Sequence, residues 1–306
     1  YNSLLSTTTG SYNVAIGTSA MTSNTTASQN TAVGYQALRE NTTGADNVAV
    51  GLYAALQNTT GAQNTAVGLS SLQANTTSSY NTAIGYRALK DNTAADNTAV
   101  GWEAMVTNTT GTLNTGLGRR ALYGNTTGTS NTAVGNFANG ANTTGSYNVA
   151  VGQQSFNANT TAERGTALGY QAGYNNNASN NTFVGFAVGY ANTSGTENVG
   201  VGGEGASNNT TMRFNTTGSY NTALGNGALS SNTTGAGQVA IGWQAGYSLT
   251  TSDSNVAVGF YAMRNNTTGS GNVAVGRNAM QATDGGQYNI AIGRDALYSN
   301  TTASNN

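Results

Sequence analysis

The residues with the clearest potential chemistry are asparagines in the context Asn-x-Ser/Thr, the acceptor sequence for N-linked glycosylation. Most of them stand in an Asn-Thr-Thr triplet that recurs along the chain. The chemistry would be covalent attachment of a glycan to the side-chain amide nitrogen. In the alternative hypothesis the asparagine only begins a turn, the glycine that follows supplies a positive φ, and no sugar is attached. The candidate positions are Asn24, Asn41, Asn58, Asn75, Asn108, Asn125, Asn142, Asn159, Asn192, Asn209, Asn232, Asn266 and Asn300.

Other residue types offer little for catalysis or metal binding. Acidic residues such as Asp46, Asp96, Glu103 and Asp253 are scattered, so neither a carboxylate pair nor a calcium-binding repeat is visible. The chain has no histidine and no cysteine, its net charge is −1, and no phosphate-binding loop occurs. No apolar run approaches the roughly 18 residues of a membrane span. We therefore predict no enzymatic activity, no cofactor, no metal, no nucleic acid and no membrane insertion in this segment.

The asparagine triplets belong to a 17-residue repeat. A glycine closes the phrase Asn-[Thr/Val]-Ala-[Val/Ile/Leu]-Gly in each unit, and thirteen of the sixteen steps from one such glycine to the next have this length. Two steps are one position shorter, and one step is six positions longer. Self-similarity of this kind is typical of an array in which each unit stacks on its neighbours. Tyr1 and Asn306 both lie inside a unit, which indicates a segment of a longer array. The repeat glycines are Gly17, Gly34, Gly51, Gly68, Gly85, Gly101, Gly118, Gly135, Gly152, Gly169, Gly185, Gly202, Gly225, Gly242, Gly259, Gly276 and Gly293.

Residues 34–50 give the repeat in its regular form, Gly-Tyr-Gln-Ala-Leu-Arg-Glu-Asn-Thr-Thr-Gly-Ala-Asp-Asn-Val-Ala-Val, and positions are counted here from its glycine. Two short apolar phrases are separated by turn residues, as in strands joined by turns. A repeat of this length is too short to contain helices. The sequence therefore predicts an all-β fold, a parallel β-solenoid or β-roll whose coils each contain two strands. Residues 1–306 form one continuous array of about 17–18 coils in this interpretation.

The irregular repeats indicate which part of a coil faces solvent. Residues 92–96 and 176–180 are one residue short of the regular Asn-Thr-Thr-Gly corner, and residues 209–218 contain two Asn-Thr-Thr triplets. We therefore expect all three length changes in this corner, with a six-residue corner insertion near 210–217. Because surface loops tolerate insertions and packed strands do not, the corner is predicted to point outward. The two apolar phrases then form the core.

Within the predicted core, glycine occasionally replaces the leucine of the Ala-Leu phrase, and tyrosine follows at once. Examples are Gly173-Tyr174, Gly189-Tyr190 and Gly246-Tyr247, where we expect the tyrosine to fill the vacated volume. In the strand phrase the alanine lies on the opposite face from the valine or isoleucine after it. A strand that is apolar on both faces predicts burial on both, one face inside the solenoid and one against another chain.

The strand phrases resemble a known family. Asn13-Val14-Ala15-Ile16-Gly17, residues 148–152 and residues 289–293 are similar to the Ser-Val-Ala-[Ile/Leu]-Gly signature of trimeric autotransporter adhesin heads of the YadA type, and related repeats occur in phage tail fibres. The resemblance covers the strand phrase along essentially the whole chain. It implies left-handed parallel β-rolls, three chains around one axis, and an extracellular role in attachment or spacing.

The function predicted from these observations is a structural or adhesive segment of an extracellular fibre, at a cell surface or in a virion. Its expected partners are further copies of the chain in a homotrimer or filament, covalently attached glycans, and a host or surface receptor. One alternative is a passive, glycan-coated surface filament. Another is an ice-binding β-solenoid, although adjacent threonines in a strand point to opposite faces and cannot form a paired row.

Aromatic residues follow the repeat glycine in many coils. They could stack on sugars, but Leu52, Arg119 and Asn136 occupy the same position elsewhere, which favours packing or a variable surface. The aromatic residues at this position are Tyr35, Tyr86, Trp102, Tyr170, Phe186, Trp243 and Phe260.

Overall fold

The computed structural model describes residues 2–203, 209–299 and 303–306. The described residues form an all-β solenoid in which each coil contributes one strand of three residues to a parallel ladder. The chain divides into two compact units, Tyr1–Asn148 and Val149–Asn306. The β-solenoid predicted from the glycine spacing is therefore confirmed, and both units are built from the same coil.

The first unit contains eight strands that pair in chain order. Each strand lies parallel to the next, with Val48 opposite Thr65 and Ala49 opposite Ala66 in a representative pair. Partners occupy the same position of consecutive repeats, and this register is kept across the first short corner, where Thr82 lies opposite Thr98. The strands are β1 (Val14–Ile16), β2 (Thr31–Val33), β3 (Val48–Val50), β4 (Thr65–Val67), β5 (Thr82–Ile84), β6 (Thr98–Val100), β7 (Thr115–Leu117) and β8 (Thr132–Val134).

The described residues of the second unit contain nine strands with the same parallel register. The pair that spans the longest repeat keeps this register too, because Val199 still lies opposite Thr222. The strands are β9 (Val149–Val151), β10 (Thr166–Leu168), β11 (Thr182–Val184), β12 (Val199–Val201), β13 (Thr222–Leu224), β14 (Val239–Ile241), β15 (Val256–Val258), β16 (Val273–Val275) and β17 (Ile290–Ile292).

The second apolar phrase is not a strand, so the prediction of two strands per coil was wrong. In the coil that begins at Gly34, Gln36 has φ of 55° and Leu38 has φ of 48°, and the same two positions are left-handed in most coils. Their backbones still join neighbouring coils, since Gln36 N–H donates to Thr18 O and Leu38 N–H donates to Ala54 O, both at 3.0 Å. The Ala-Leu phrase is thus a hydrogen-bonded turn whose leucine points inward.

The strand phrase has the two faces that the sequence predicts. Ala49 in the middle of β3 is completely buried, whereas Val48 before it is 38% exposed and Val50 after it is half-buried. Leu38 from the turn is also completely buried. The apolar part of the core therefore consists of the strand alanines and the Ala-Leu pairs, while the strand valines lie on the outside of the single chain.

In the Gly-Tyr pairs, other core side chains fill the space left by the missing leucine. The expectation that the tyrosine fills this space was therefore wrong. A Cβ at Gly173 would stand 2.5 Å from the ring of Phe156 and 2.9 Å from that of Phe183. Both phenylalanines are completely buried and meet edge to face. Tyr174 and Tyr190 instead stack on each other outside the core, with ring centroids 5.1 Å apart. Large core side chains of the same coil and of the preceding coil thus take the place of the missing leucine.

Two of the three length changes lie in the corner as predicted, and the third does not. The amide of Asn92 donates to Ala94 O and that of Asn176 to Ala178 O, two residues on, whereas Asn41 reaches Gly44 O three residues on. Both short repeats have therefore lost one residue from the corner.

The six extra residues lie before the Ala-Leu position, not in the corner. In a regular pair of coils, the N–H of the fifth residue donates to the carbonyl oxygen of the fourth residue in the next coil. Gly189 N–H makes this bond to Thr211 O, so Thr211 is the fourth residue of its coil. The amide of Asn215 donates to Asn192 Oδ1 at 2.8 Å, so Asn215 is the corner asparagine of this coil. The predicted corner insertion near 210–217 is therefore wrong: the extra residues lie between Gly202 and Thr211, and residues 204–208 are outside the described part.

Candidate functional site

The corner asparagines point into the solenoid rather than into solvent. Asn58 is completely buried, and its amide donates to Gly61 O in the same corner and to Asn41 Oδ1 in the preceding coil, both at 2.8 Å. Asn75 in turn donates to Asn58 Oδ1 at 2.9 Å. Repetition of these contacts produces a ladder of side-chain amides inside the coil stack.

A second asparagine ladder runs beside the strands, at the fourteenth position of the repeat. The backbone N–H of Asn47 donates to Asn30 Oδ1 at 2.9 Å, and its side-chain amide donates to Gly61 O at 2.8 Å. Gly61 O therefore accepts from both ladders. Since buried polar groups are tolerated only when they are hydrogen-bonded, the two ladders must form together with the backbone stack.

The glycosylation hypothesis does not survive this geometry at eleven of its thirteen positions. A glycan would replace an amide hydrogen and needs a path to solvent, yet these side chains are buried and their amides are engaged inside the coil. Asn209 is half-buried and accepts a hydrogen bond from the Tyr247 hydroxyl at 2.8 Å, and Asn300 lies outside the described residues. The eleven buried positions are Asn24, Asn41, Asn58, Asn75, Asn108, Asn125, Asn142, Asn159, Asn192, Asn232 and Asn266.

The corner threonines are the part of the corner that faces solvent. Thr43 is exposed, and the half-buried Thr42 donates its hydroxyl to Thr59 O of the next coil at 3.0 Å. The prediction of an outward corner thus holds for the threonines and is wrong for the asparagines. Asn215, the ladder residue after the insertion, was not among the predicted positions; its place one regular repeat before Asn232 was the available signal.

The short corner at residues 92–96 leaves two amide groups of the ladders unpaired. Asn75 Oδ1 and Asn81 Nδ2 are buried and have no hydrogen-bond partner. In a regular coil the oxygen of Asn75 would accept from the corner asparagine of the next coil. The amide of Asn81 would donate to the oxygen of the corner glycine of the next coil. Asn92 is drawn back to Ala94 O, and the corner glycine is missing.

Repairing this corner is expected to stabilise the protein. Replacement of Ala94 by the dipeptide Thr-Gly makes the corner identical to residues 41–47. Each buried polar group that regains a partner contributes about 1–3 kcal/mol, so the free energy of unfolding should rise by roughly 2 kcal/mol or more. Urea denaturation followed by circular dichroism measures the change. The control Ala94→Thr keeps the short corner and should give no comparable gain; equal midpoints for the two variants would contradict the ladder model.

The outer side of the strands is a candidate interaction surface. We define the strand face as the side chains of the first and third residues of β1–β17. In all seventeen strands these residues are valine, isoleucine, leucine or threonine, and none is charged. Several are well exposed for apolar residues, including Ile84 at 39% and Leu224 at 46%. The third residue is apolar in every strand, whereas the first is threonine in nine of the seventeen. Monomeric soluble proteins rarely expose long rows of apolar side chains, which mark interaction sites.

Four of the seven aromatic residues after the repeat glycines stack on one another in pairs. Tyr86 and Trp102 are nearly parallel with centroids 6.0 Å apart, and Tyr170 and Phe186 are 5.1 Å apart at 18°. Neighbouring coils are about 4.8 Å apart, so these rings cover each other's faces and turn their edges outward. Arg119 lies over Trp102 at 5.2 Å. This arrangement favours the packing hypothesis over sugar stacking.

The described part of the chain contains no pocket and no cluster of residues that could hold a metal ion. It also has no helix long and apolar enough to cross a membrane. Comparison of the chain with protein-family models, with curated proteins and with solved structures finds no match. The candidate functional surface is therefore the strand face, together with the variable turn residues beside it.

Proposed function

We propose that this chain is a structural and adhesive segment of an extracellular fibre, in which three copies associate through their strand faces. The uncharged strand face is the observation that carries the proposal. It is a surface that a single chain leaves open to water along every coil. Burial of apolar area against another copy is the largest favourable term available to it, at about 25 cal/mol per Å².

The area of the strand face suits a stable assembly of whole chains. Coils repeat at about 4.8 Å, and two side chains of one strand face span a strip roughly 10 Å wide, so each coil offers about 50 Å². Seventeen such coils offer roughly 800 Å² per chain, which is the contribution of one partner to a standard protein interface of about 1,600 Å². The number of coils is thus sufficient for a stable assembly, whereas a few coils would not be.

The extracellular and adhesive parts of the proposal are supported by the rest of the surface. Charged residues make up only 7% of the chain, and the turn residues after the repeat glycines change from coil to coil. Such a solenoid offers a different surface at each coil, as receptor attachment requires. The resemblance of the strand phrase to YadA-type adhesin heads and phage tail fibres supports both the threefold assembly and the location in a cell-surface or virion fibre.

Charges on the strand face are expected to release monomers. The variant Val50→Lys, Val67→Glu and Ile84→Lys places opposite charges on consecutive coils, which avoids like-charge repulsion within a chain. These side chains are at least partly exposed, so the fold should persist. Light scattering after size-exclusion chromatography should show the mass falling from three chains to one chain of 30.9 kDa.

The matched control places the same charges on the exposed corner threonines of the same coils, Thr43→Lys, Thr60→Glu and Thr77→Lys. This variant should remain associated. A wild-type chain that is monomeric at micromolar concentration would overturn the assembly, and an unchanged mass for the strand-face variant would show that another surface is responsible. Circular dichroism of both variants confirms that the solenoid is intact.

An ice-binding role is a second candidate, because it would use the same flat, uncharged face in a monomer. The relevant threonines are those at the first strand position, such as Thr65 and Thr82, and not the adjacent pairs of the corner. An ice-recrystallisation assay separates the two functions. Ice binding would be favoured over the fibre if the wild-type chain is monomeric and inhibits ice recrystallisation. The charged strand-face variant should then lose this inhibition.

A further inference from the structure

Five tyrosines form a longer period on top of the 17-residue repeat. They occupy the thirteenth position, directly before the strand asparagine, and four repeat glycines lie between each of these tyrosines and the next. Each step is therefore four coils, and the one-residue losses at 92–96 and 176–180 and the longer repeat leave this period unchanged. We call these residues the rib tyrosines: Tyr12, Tyr80 and Tyr147 in the first unit, and Tyr220 and Tyr288 in the second.

The rib tyrosines are exposed and stand apart from the other aromatic residues. Their exposed fractions are 87%, 61%, 58%, 61% and 64% in chain order. Within the described residues none of the five is part of an aromatic pair, a contact with arginine or a side-chain hydrogen bond. Tyr35, Tyr86 and Tyr174, by contrast, each pair with another ring. The ring of Tyr288 lies over Gly271, where an added Cβ would stand 2.8 Å from it. Apart from this contact, the exposed rib rings contribute little to the packing of their own chain.

The backbone conformation also disfavours a tyrosine at these positions. The five φ values lie between 56° and 63°, in the left-handed region that bulky side chains rarely adopt. Other coils carry varied residues at the thirteenth position, from Gly237 and Ser254 to Leu113, and tyrosine is the residue that recurs there at a fixed interval. A large exposed ring in an unfavourable conformation, repeated at a fixed interval, points to a role outside the single chain.

The rib tyrosines lie at the border of the strand face. Side chains alternate along this stretch, so Tyr80, Thr82 and Ile84 point outward while Asn81 and Ala83 are buried. The strand face itself repeats with every coil, and a shift of about 4.8 Å places valine and threonine again on valine and threonine. Uniform strands of this kind specify axial register weakly. An assembly through the strand face alone could slide by one coil at little cost.

We infer that the rib tyrosines fix the axial register between copies of this chain, each ring packing against the rib tyrosine of a neighbouring copy at the same coil. This inference rests on the proposed assembly. A second copy is the partner that shares the four-coil period, and its face carries no charge that would oppose an aromatic ring. A slip of one to three coils places each rib ring opposite a residue other than tyrosine. A slip of four coils would restore ring against ring but leave four coils of each strand face uncovered.

Distances between spin labels on different copies test the inference. The chain contains no cysteine, so Thr60→Cys places one nitroxide on the exposed corner, away from the strand face. Pulsed electron double resonance on the wild-type background should give one narrow distance distribution. The variant with all five rib tyrosines replaced by serine should remain associated but give a distribution broadened by coil steps of about 5 Å. Serine already occupies this position at Ser130 and Ser254, so the fold should tolerate it.

Two further variants sharpen the test. Replacing the five tyrosines by phenylalanine should keep the narrow distribution, since the ring is retained. Replacing Gln29, Asp46, Gln63, Leu113 and Glu197, which share the thirteenth position, by serine should also leave it narrow. A serine-for-tyrosine variant that stays narrow overturns the register role, as does a broad distribution in the wild type. Absence of any intermolecular distance in the wild type would instead defeat the assembly itself.

Discussion

Replacement of Gly51 by alanine is expected to lower the free energy of unfolding by more than about 4 kcal/mol, a loss reserved for severe steric and backbone conflicts. A Cβ at this position would stand 2.5 Å from Gly68 O and 2.7 Å from Gly68 C, distances that real Cβ atoms do not reach. Gly51 also has φ of 135°, where residues with a side chain are strained. The two coils would have to separate, and the backbone and amide hydrogen bonds beside them would lengthen.

The matched control for Gly51→Ala is Gly237→Ala. Gly237 also has a positive φ, 66°, but the atom nearest to an added Cβ is Ser254 Oγ at 3.6 Å. Its substitution should destabilise the protein by only about 1 kcal/mol, the strain of an alanine in the left-handed region. Urea denaturation of both variants measures the difference. Comparable losses would show that close stacking of coils at the repeat glycine is not what requires glycine there.

The regular features of the sequence were enough to predict the solenoid. The glycine that ends each strand phrase must recur at the same height in every coil, because Gly51 and Gly68 touch each other. Its regular spacing therefore reports the length of one coil directly. The alternation within Val48-Ala49-Val50 likewise predicts one inward and two outward side chains, as the structure shows. Both predictions rest on local periodicities that stacking repeats without change.

The turn that carries the Ala-Leu phrase could not be predicted from residue preferences. Leucine at a left-handed φ contradicts the normal behaviour of L-amino acids, as at Leu38 and Leu122. It is held there by burial and by a backbone hydrogen bond to the next coil, as in Leu38 N–H to Ala54 O. A short apolar run does not distinguish this turn from a strand, because the stabilising contacts come from another coil.

The burial of the asparagines depends equally on stacking. A single coil gives Asn41 only the corner oxygen of Gly44, and polar residues are ordinarily assigned to the surface. The neighbouring coil supplies the second partner. The insertion was misplaced because Asn209-Thr210-Thr211 and Asn215-Thr216-Thr217 both match the corner triplet, although only the second is followed by the corner glycine. The hydrogen bond from Asn215 to Asn192 shows that the second triplet is the corner.

Asn58→Ala is expected to destabilise the protein strongly, because it removes hydrogen-bond partners from two other buried side chains. The substitution leaves Asn41 Oδ1 without the amide that now donates at 2.8 Å. It also removes the acceptor of one Asn75 amide hydrogen, at 2.9 Å, while the bond from this amide to Ser78 O remains. Each buried group that loses a partner costs about 1–3 kcal/mol, so the two together should lower the free energy of unfolding by about 2 kcal/mol at least. Thr60→Ala in the same corner alters an exposed side chain and should change stability by less than about 0.5 kcal/mol. Urea denaturation measures both losses. Equal losses for the two variants would show that the Asn58 side chain is not buried in the ladder.

A double-mutant cycle with Asn75→Ala shows whether the amides act as a ladder. Asn75 donates to Asn58 Oδ1, and its own oxygen is already unpaired, so its single substitution should cost less than that of Asn58. The two substitutions break one shared hydrogen bond, and neighbours that share a bond do not add. The double variant should therefore lose clearly less stability than the sum of the single losses. Strictly additive losses of stability would mean that each asparagine is held by its own coil alone. The backbone hydrogen bonds and the apolar core would then stabilise the stack without a contribution from the ladder.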